Sequence, residues 1–437
     1  MIRPTGRAVF IFVCGIPLAL FVVIYDPSLW VLSFNYGALI LLVAGTDALL
    51  AFPPRLLDVK VTVPERLYIG ERGATAVTIA AVRWRRATTF ELIAEQRGEI
   101  EPSDIIVGVL PVGHPLRIAL PVIPRLRGQV HVDRIWVRWR GPLGLVQLTR
   151  QIAVDRTIDV IPSVRGVHGG ALLFFSREAI YGIKSERQKG EGAEFEALRE
   201  YSPGFDSRFI DWKHSARHRK LLCKEFRTER NHPVIMAFDT GHLMLEPVDG
   251  ITRLDHAINA GLVLAWISLH GGDLVGTYGF DAAVRHYLSP IRGISGFARV
   301  QRATAELGYH HQETNFTLGL AELNARLKRR ALVILFTDFV DTITAELLIE
   351  SMQRVANRHV VVFVTQRGSV LQRAVEAEPG QFTDVAQAVL AHEFLRERSI
   401  VLERLERLGV HCLDVPSRGL SVALINRYLM IKERGLI

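Results

Sequence analysis

Residues 331–338 read ALVILFTD, an uninterrupted apolar run that ends in an aspartate. A short run of this kind between polar turns is typical of a strand that is buried on both faces. The stretch PVIMAFD at 233–239 has the same form, and VVVFVT at 360–365 lacks only the final acid. Because helices cover both faces of a parallel sheet, these three runs predict an α/β fold.

Helical patterns separate these runs throughout the segment 233–437. Further strands are predicted at 273–280 and 412–415, with 285–290 pairing beside 273–280. Apolar residues recur at helical spacing in five segments: 251–269, 294–307, 316–328, 344–357 and 385–408. The alternation predicts a doubly wound, mostly parallel sheet, in which ligands gather at the carboxyl ends of the strands.

The N-terminus carries two uncharged stretches, 8–25 and 27–46, of about 18 and 20 residues. This is the length that a helix needs to cross a bilayer core. A signal peptide is the alternative for the first stretch, but no small-x-small cleavage site precedes Asp26. Residues 1–54 therefore predict two transmembrane helices that form a hairpin.

Basic residues flank both ends of the predicted hairpin: Arg3, Arg7, Arg55, Lys60 and Arg66. Since Lys and Arg prefer the cytoplasmic side, we expect a multi-pass protein of the inner (plasma) membrane with most of its chain in the cytoplasm. Asp47, near the end of the second stretch, is expected at the cytoplasmic headgroups. A polar contact between the two helices is the alternative for this side chain.

The middle segment, 55–165, is a series of short Val/Ile-rich runs separated by turn residues. The clearest of them is 128–140, where five apolar residues follow a period close to two: Val130, Val132, Ile135, Val137 and Trp139. This pattern predicts a β-sandwich-like domain in which one face of each sheet is exposed to solvent. It carries no cluster of catalytic residue types, so a spacer or docking role is expected.

Net charge, cysteine spacing and the catalytic motifs exclude several classes of function. The net charge is +8, but the 53 basic residues are interleaved with 45 acidic ones, which disfavours nucleic-acid binding. The three cysteines, Cys14, Cys223 and Cys412, are too far apart for a disulfide framework. Phosphate-loop, dinucleotide, nucleophile-elbow and zinc motifs are absent from the sequence, so an enzyme is not expected.

The segment 166–232 contains an irregular mixture of charged, aromatic and turn-forming residues. Its pattern predicts a helix or helical turn at 194–201, a break at 202–204 and a new helix at 207–216. We expect planar guanidinium groups to bind carboxylates here, among Arg199, Arg208, Arg217, Asp206 and Asp211.

Four short motifs occur in order within this segment: EALREY (196–201), GFDSR (204–208), IDW (210–212) and SAR (215–217). Their order resembles the signature of the domain of unknown function 58 family (DUF58), although Phe205 stands where that family commonly has Asp. The resemblance extends to the N-terminal spans and the β-rich middle. It implies a membrane-anchored protein with a von Willebrand factor A-like domain at 233–437 and a MoxR-type AAA+ ATPase as partner.

The resemblance makes ten residues candidates for a partner-binding surface: Arg199, Glu200, Tyr201, Gly204, Asp206, Arg208, Asp211, Trp212, Ser215 and Arg217. The alternative is a structural clamp in which Trp212 is buried. A competing hypothesis is a metal- or carboxylate-dependent hydrolase, in which Glu200, Asp206 and Asp211 activate water. His214, Ser215 and Asp211 are not expected to converge as a triad.

The von Willebrand A resemblance also implies a metal loop after the first strand of the α/β domain. Asp239, Thr314 and Asp338 match three of its ligand positions, but Gly241 and Leu243 replace the two serines. One hypothesis is a hydrated Mg²⁺ at this degenerate site. The alternative is that both aspartates cap adjacent helices. In either case we expect a partner-binding face here.

Overall fold

The computed structural model describes residues 2–26, 30–81, 84, 86–102, 104–163, 189–202, 210–227, 232–339, 342–368 and 382–437. The chain divides into two compact units, Met1–Ile161 and Pro162–Ile437. Three residues of the signature, Gly204, Asp206 and Arg208, lie outside the described residues.

The first unit begins with two apolar helices, α1 (Gly6–Tyr25) and α2 (Trp30–Leu50), that pack against each other. The Tyr36 hydroxyl donates a hydrogen bond to the carbonyl of Ile11, 2.8 Å away. A Cβ at Gly15 would lie 1.9 Å from the Tyr36 ring, so only glycine allows this close approach.

Within the described residues, the stretch Phe34–Leu56 is long and apolar enough to cross a bilayer, and Gly6–Phe21 forms a shorter apolar helix. An apolar helix near the N-terminus is therefore confirmed by length and composition. The second transmembrane span stays a prediction.

Two sheets form the rest of this unit. Their strands are β1 (Ile2–Pro4), β2 (Leu57–Thr62), β3 (Arg66–Tyr68), β4 (Gly73–Ala81), β5 (Thr88–Arg97), β6 (Ile106–Leu110), β7 (Leu116–Val122), β8 (Gly128–Arg140) and β9 (Val146–Ile161). One sheet has the order β1-β9-β8-β5-β6, with β3 beside β9, and the other has the order β2-β4-β7. Buried side chains from both sheets, such as Ile79 and Phe90, share one hydrophobic core. In β8 all five residues of the predicted apolar face are buried.

The end of α2 is bound to the turn between β8 and β9. Asp47 is fully buried, and its carboxylate accepts hydrogen bonds from the backbone N–H groups of Leu143 (2.7 Å), Leu145 (2.8 Å) and Val146 (2.9 Å). The alternative of a polar contact between the two helices is wrong for Asp47, because its carboxylate binds this turn, and its place at the cytoplasmic headgroups stays a prediction. These N–H donors solvate the carboxylate in place of water.

The same turn holds the chain just before α1. Thr5 donates its backbone N–H to the carbonyl of Leu145 (2.9 Å) and its hydroxyl to the carbonyl of Gly144 (2.7 Å). A Cβ at Gly141 would lie 2.4 Å from the carboxylate of Asp47, which explains the glycine at this position. Both helices are therefore attached to the sheet at the same end of the hairpin.

The second unit contains a two-stranded antiparallel sheet of β10 (Lys189–Glu200) and β11 (Leu222–Arg227), with the short helix α3 (Trp212–His218) between them in sequence. The helix predicted at 194–201 is wrong, because this segment pairs with β11 from Glu194 to Glu200. The helix predicted at 207–216 begins at Trp212, and residues 207–209 lie outside the described ones.

A six-stranded sheet forms the centre of this unit. The remaining strands are β12 (Pro233–Asp239), β13 (Pro247–Val248), β14 (Ile251–Thr252), β15 (Leu274–Phe280), β16 (Val284–Ile291), β17 (Leu332–Phe336), β18 (Val360–Arg367) and β19 (His411–Pro416). The sheet has the order β16-β15-β12-β17-β18-β19. All neighbouring strands in it are parallel except the pair β15 and β16. The predicted mixed α/β architecture is confirmed.

Helices cover both faces of this sheet: α4 (Arg253–His270), α5 (Phe297–Ala305), α6 (Phe316–Arg326), α7 (Thr342–Ala356), α8 (Phe382–Arg407) and α9 (Leu420–Glu433). α4, α5 and α9 share a core with Met236 and Phe238 of β12, whereas α6, α7 and α8 share a core with Ile235 and Ala237. The chain leaves β12 toward β15 on one side and reaches β17 on the other. The carboxyl ends of β12 and β17 therefore flank the switch in strand order, where such folds place their sites.

We expect Asp47→Ala to destabilise the first unit, since it leaves three backbone donors without an acceptor. Each buried unsatisfied group costs about 1–3 kcal/mol, so the free energy of unfolding should fall by roughly 3 kcal/mol or more. Thermal melting of the detergent-solubilised protein measures this loss. Asp58→Ala, at an exposed position of β2, is the matched control. Equal melting temperatures for the two variants would contradict the assignment.

Candidate functional site

Asp239 is the last residue of β12, and it is buried at the switch in strand order. Its Oδ1 accepts hydrogen bonds from the hydroxyl of Thr314 (2.6 Å) and the N–H of Gly241 (2.8 Å). Its Oδ2 accepts a hydrogen bond from the hydroxyl of Thr337 (2.5 Å). The carboxyl group is therefore surrounded by neutral donors.

Asp338 follows β17 and is also buried, but charged donors surround it. Arg253 donates to its Oδ2 (2.5 Å), and Arg398 donates to its Oδ1 (2.7 Å). The hydroxyl of Thr365 (2.9 Å) and the N–H of Phe339 (2.9 Å) also donate to Oδ1. Two guanidinium groups thus compensate one buried carboxylate.

The two arginines connect distant parts of the unit. Arg253, at the start of α4, also binds Glu246 (2.7 Å) and the carbonyl of Gln366 (2.5 Å). Arg398, on α8, also contacts Asp414 (3.3 Å) at the end of the sheet. The network therefore joins α4, α8, the loop after β17 and the strands β18 and β19.

The pKa values follow from this burial. Burial raises the pKa of Asp239 to about 6, although the hydrogen bonds from Thr314, Thr337 and Gly241 act in the opposite direction. For Arg398, burial lowers the pKa, but the charges of Asp338 and Asp414 outweigh it and leave the pKa above its usual value. Asp239 is thus close to titration near neutral pH, while Arg398 stays charged.

The hypothesis of a degenerate metal site requires Asp239, Thr314 and Asp338 to act as ligands. The structure brings Asp239 and Thr314 into contact, but both oxygens of Asp338 are bound to guanidinium groups, whose charge repels a cation. A side chain at Gly241 would place its Cβ 2.2 Å from the Thr314 hydroxyl, so the serine of a metal loop has no space there. In the part of the chain that the structure describes, no group of three or more His, Cys, Asp or Glu could hold a metal. These donors do not fit Mg²⁺.

Helix capping, the alternative role for these aspartates, is not what Asp239 does. The N-cap of α4, the next α-helix along the chain, is Thr252, whose hydroxyl accepts from Asp255. Asp239 instead joins the loops after β12 and β17 to the loop before α6 through Thr337 and Thr314.

In the signature, Asp211 is the N-cap of α3. Its carboxylate accepts a hydrogen bond from the N–H of His214 (3.1 Å), and it also contacts the His214 ring (2.9 Å) and Lys224 (3.3 Å). The backbone hydrogen bond and the His214 ring hold the pKa of Asp211 down at about 2. Among the described residues, the Asp211 carboxylate contacts the His214 ring and Lys224, whereas Asp206 and Arg208 of the predicted network lie outside them.

The remaining signature residues do not form a catalytic cluster in the described part of the chain. The Ser215 hydroxyl accepts from the N–H of Leu222 (2.8 Å), so it does not join His214 and Asp211 in a triad. Glu200 is exposed and pairs with Lys220 (3.3 Å). Tyr201 binds the adjacent loop through its backbone, and Arg199 and Arg217 are exposed. Asp206, which the hydrolase hypothesis needs, lies outside the described residues.

Trp212 is 68% exposed on α3. The clamp hypothesis expected this side chain to be buried, and that expectation is wrong. α3 presents the indole to solvent, because the buried contacts of this helix are made by Asp211 and Ser215.

Sequence reasoning missed Arg253, Arg398 and Thr337. The only available signal was Thr337 itself, a polar residue beside Asp338 at the end of a buried strand. Arg253 and Arg398 lie 85 and 60 residues from Asp338 along the chain, and no local pattern marks them.

Comparisons with known proteins agree with the family resemblance. Residues 197–377 match the family model described as "Protein of unknown function DUF58". The uncharacterized protein YeaD of Bacillus subtilis (strain 168) is 27% identical over 113 residues, which are 26% of this chain and 28% of that protein. The match thus spans little more than a quarter of that relative's length.

Two solved structures show weak likeness to this chain. The conserved hypothetical protein BatB from Bacteroides thetaiotaomicron aligns with 46% of this chain and 100% of its own, at 14% identity and a TM-score of 0.31. An uncharacterized membrane spanning protein from Vibrio fischeri aligns with 46% of this chain and 100% of its own, at 16% identity and a TM-score of 0.17. Scores this low carry no assignment of fold or function.

We expect the raised pKa of Asp239 to make stability depend on pH. Its folded pKa of about 6 exceeds its ordinary value of 3.8, so the stability present below pH 4 is lost as pH rises toward 6. This difference of two pKa units corresponds to a change of about 3 kcal/mol in the free energy of unfolding.

Asp239→Asn should remove this dependence while keeping the contacts, because its amide can accept from Gly241 and Thr314 and donate to Thr337. Denaturant titrations of both proteins at pH 4 and pH 7 provide the test. A free-energy difference between the two proteins that is the same at both pH values would refute the assignment.

Proposed function

We propose that this chain, whose residues 197–377 match the DUF58 family, is a membrane-anchored adaptor that binds a partner protein through α3. The observation that carries the proposal is the exposure of Trp212, at 68%, on a rigidly supported helix. Asp211 caps that helix, and Ser215 binds Leu222 of the neighbouring strand. Exposed tryptophans on preorganised supports are typical of the few residues that carry the free energy of protein binding.

The charge around Trp212 indicates the kind of partner. Lys213, Arg217 and Lys220 are exposed and lie within eight residues of Trp212 along the chain. A complementary partner would offer an apolar pocket with an acidic rim, since opposite charges steer association and fix orientation. A MoxR-type AAA+ ATPase is the partner class that the family resemblance implies.

The second unit would act as a von Willebrand factor A-like recognition module. Its strand order β16-β15-β12-β17-β18-β19, with one antiparallel edge strand, supports this assignment. The arginines that bind Asp338 stand in for a cation at the carboxyl edge of the sheet. Binding at this edge would therefore not require Mg²⁺.

Membrane anchoring is supported by the surface of the N-terminal hairpin. Large apolar side chains are exposed along it, including Phe10 (69%), Leu41 (73%) and Leu49 (86%). Such a continuous apolar surface needs lipid as its solvent. Arg3, Arg7 and Arg55 at the open end of the hairpin favour a cytoplasmic location for both units.

We expect Trp212→Ala to reduce recovery of the AAA+ ATPase in a pull-down from membranes by about tenfold or more, as for other central aromatic residues. Leu347→Ala, which truncates a 56% exposed apolar residue of α7, is the matched control. Thermal melting of each variant checks that folding is unchanged. Recovery that is equal for the two variants would rule out α3 as the docking element.

A further inference from the structure

A cavity of about 450 Å³ lies in the first unit at the open end of the helical hairpin. Arg7, in the first turn of α1, and Leu50, the last residue of α2, both line it. The contacts of Asp47 and Thr5 with the β8–β9 turn hold this end of the hairpin against the sheet. In a membrane-anchored chain, the cavity lies where the hairpin leaves the bilayer.

The cavity is positively charged. Arg7, Arg86 and Arg140 line it, and Glu91 is the single carboxylate among those lining residues that the structure describes. Glu91 is already bound by Arg138 and by Arg140 (3.3 Å). Among the described residues, no carboxylate pairs with Arg7 or Arg86. Uncompensated guanidinium groups favour ligands with several anionic oxygens, and phosphate fits this chemistry best.

The remaining wall is apolar and aromatic. The Trp84 indole packs edge-on against Phe52, with ring centroids 5.0 Å apart, and its Nε1 donates to the hydroxyl of Thr88 (2.9 Å). Leu50 and Leu143, at the margin of the cavity, are 49% and 54% exposed. Cationic groups beside exposed leucines at the base of an apolar hairpin suit an amphiphile better than a soluble anion.

We propose that this cavity binds the phosphate-bearing headgroup of an anionic phospholipid, whose acyl chains lie along α1 and α2. The inference rests on the membrane anchoring in the proposed function. Arg7 and Arg86 bind the phosphate, and Trp84 lies at the level of the headgroup, as tryptophans do at membrane interfaces. The bound lipid fills the space between the hairpin and the sheet.

Native mass spectrometry of the detergent-purified full chain, titrated with phosphatidylglycerol or phosphatidylcholine, measures this binding. We expect the wild type to prefer phosphatidylglycerol by about tenfold or more. Arg7→Gln/Arg86→Gln should lose that preference, and Arg7→Lys/Arg86→Lys should retain most of it. The matched control is Arg66→Gln/Arg117→Gln, which removes two exposed arginines that do not line the cavity. Thermal melting identifies any variant that is misfolded. If the glutamine variant is misfolded, only the lysine variant is compared with the wild type.

Three outcomes would overturn the proposal. The first is equal binding of the two lipids by the wild type, and the second is unchanged preference in the glutamine variant. The third is displacement of phosphatidylglycerol by millimolar inorganic phosphate, which would indicate a site for a soluble anion. Membrane fractionation of the wild type separates the two claims: a chain that does not sediment with membranes contradicts anchoring, whatever the cavity binds.

Discussion

One buried carboxylate organises the first unit. A carboxylate taken out of water is costly unless strong donors replace its hydration, and Asp47 receives three backbone N–H groups from a single turn. The turn must bring these donors together, which requires a glycine at Gly141 and is helped by the two hydrogen bonds of Thr5. The contacts of Asp47 and Thr5 with the β8–β9 turn make the base of the hairpin part of the sheet structure, and they place Arg7 at the same cavity as Arg140.

The second unit also contains buried carboxylates, but mainly side-chain donors compensate them. Asp239 and Asp338 lie at the switch point of a parallel sheet, where metal ions and anionic ligands are often bound. Here hydroxyl groups surround one carboxylate and guanidinium groups bind the other, so the loops are held by the chain's own side chains. A face built in this way can be ordered before a partner arrives, which lowers the entropic cost of association. In the proposed adaptor, the exposed Trp212 would offer a partner an apolar anchor in the same unit.

The sequence predicts the strands well because local runs and alternations of apolar residues reflect which faces of each strand are buried. The runs around Ile235 and Ile334 are strands with both faces covered, and the alternation in β8 survives a bulge near Asp133. The errors have another cause. Segment 194–201 has a helical composition, but its partner strand β11 decides its conformation. The partners of Asp47 could not be predicted, because they are backbone N–H groups almost 100 residues away and backbone donors do not depend on residue type. The two arginines on Asp338 are equally hidden, since arginine is common on helix surfaces.

Amide hydrogen exchange of the full chain in lipid nanodiscs tests the central claim most directly, because it measures the protection of the backbone N–H groups that bind Asp47. The account predicts that the amides of Leu143, Leu145 and Val146 exchange as slowly as those in the middle of β8, although Leu143 and Leu145 belong to a turn. Exchange of these two turn amides at the rate of an open loop would contradict the account, because Asp47 would then not hold the hairpin to the sheet.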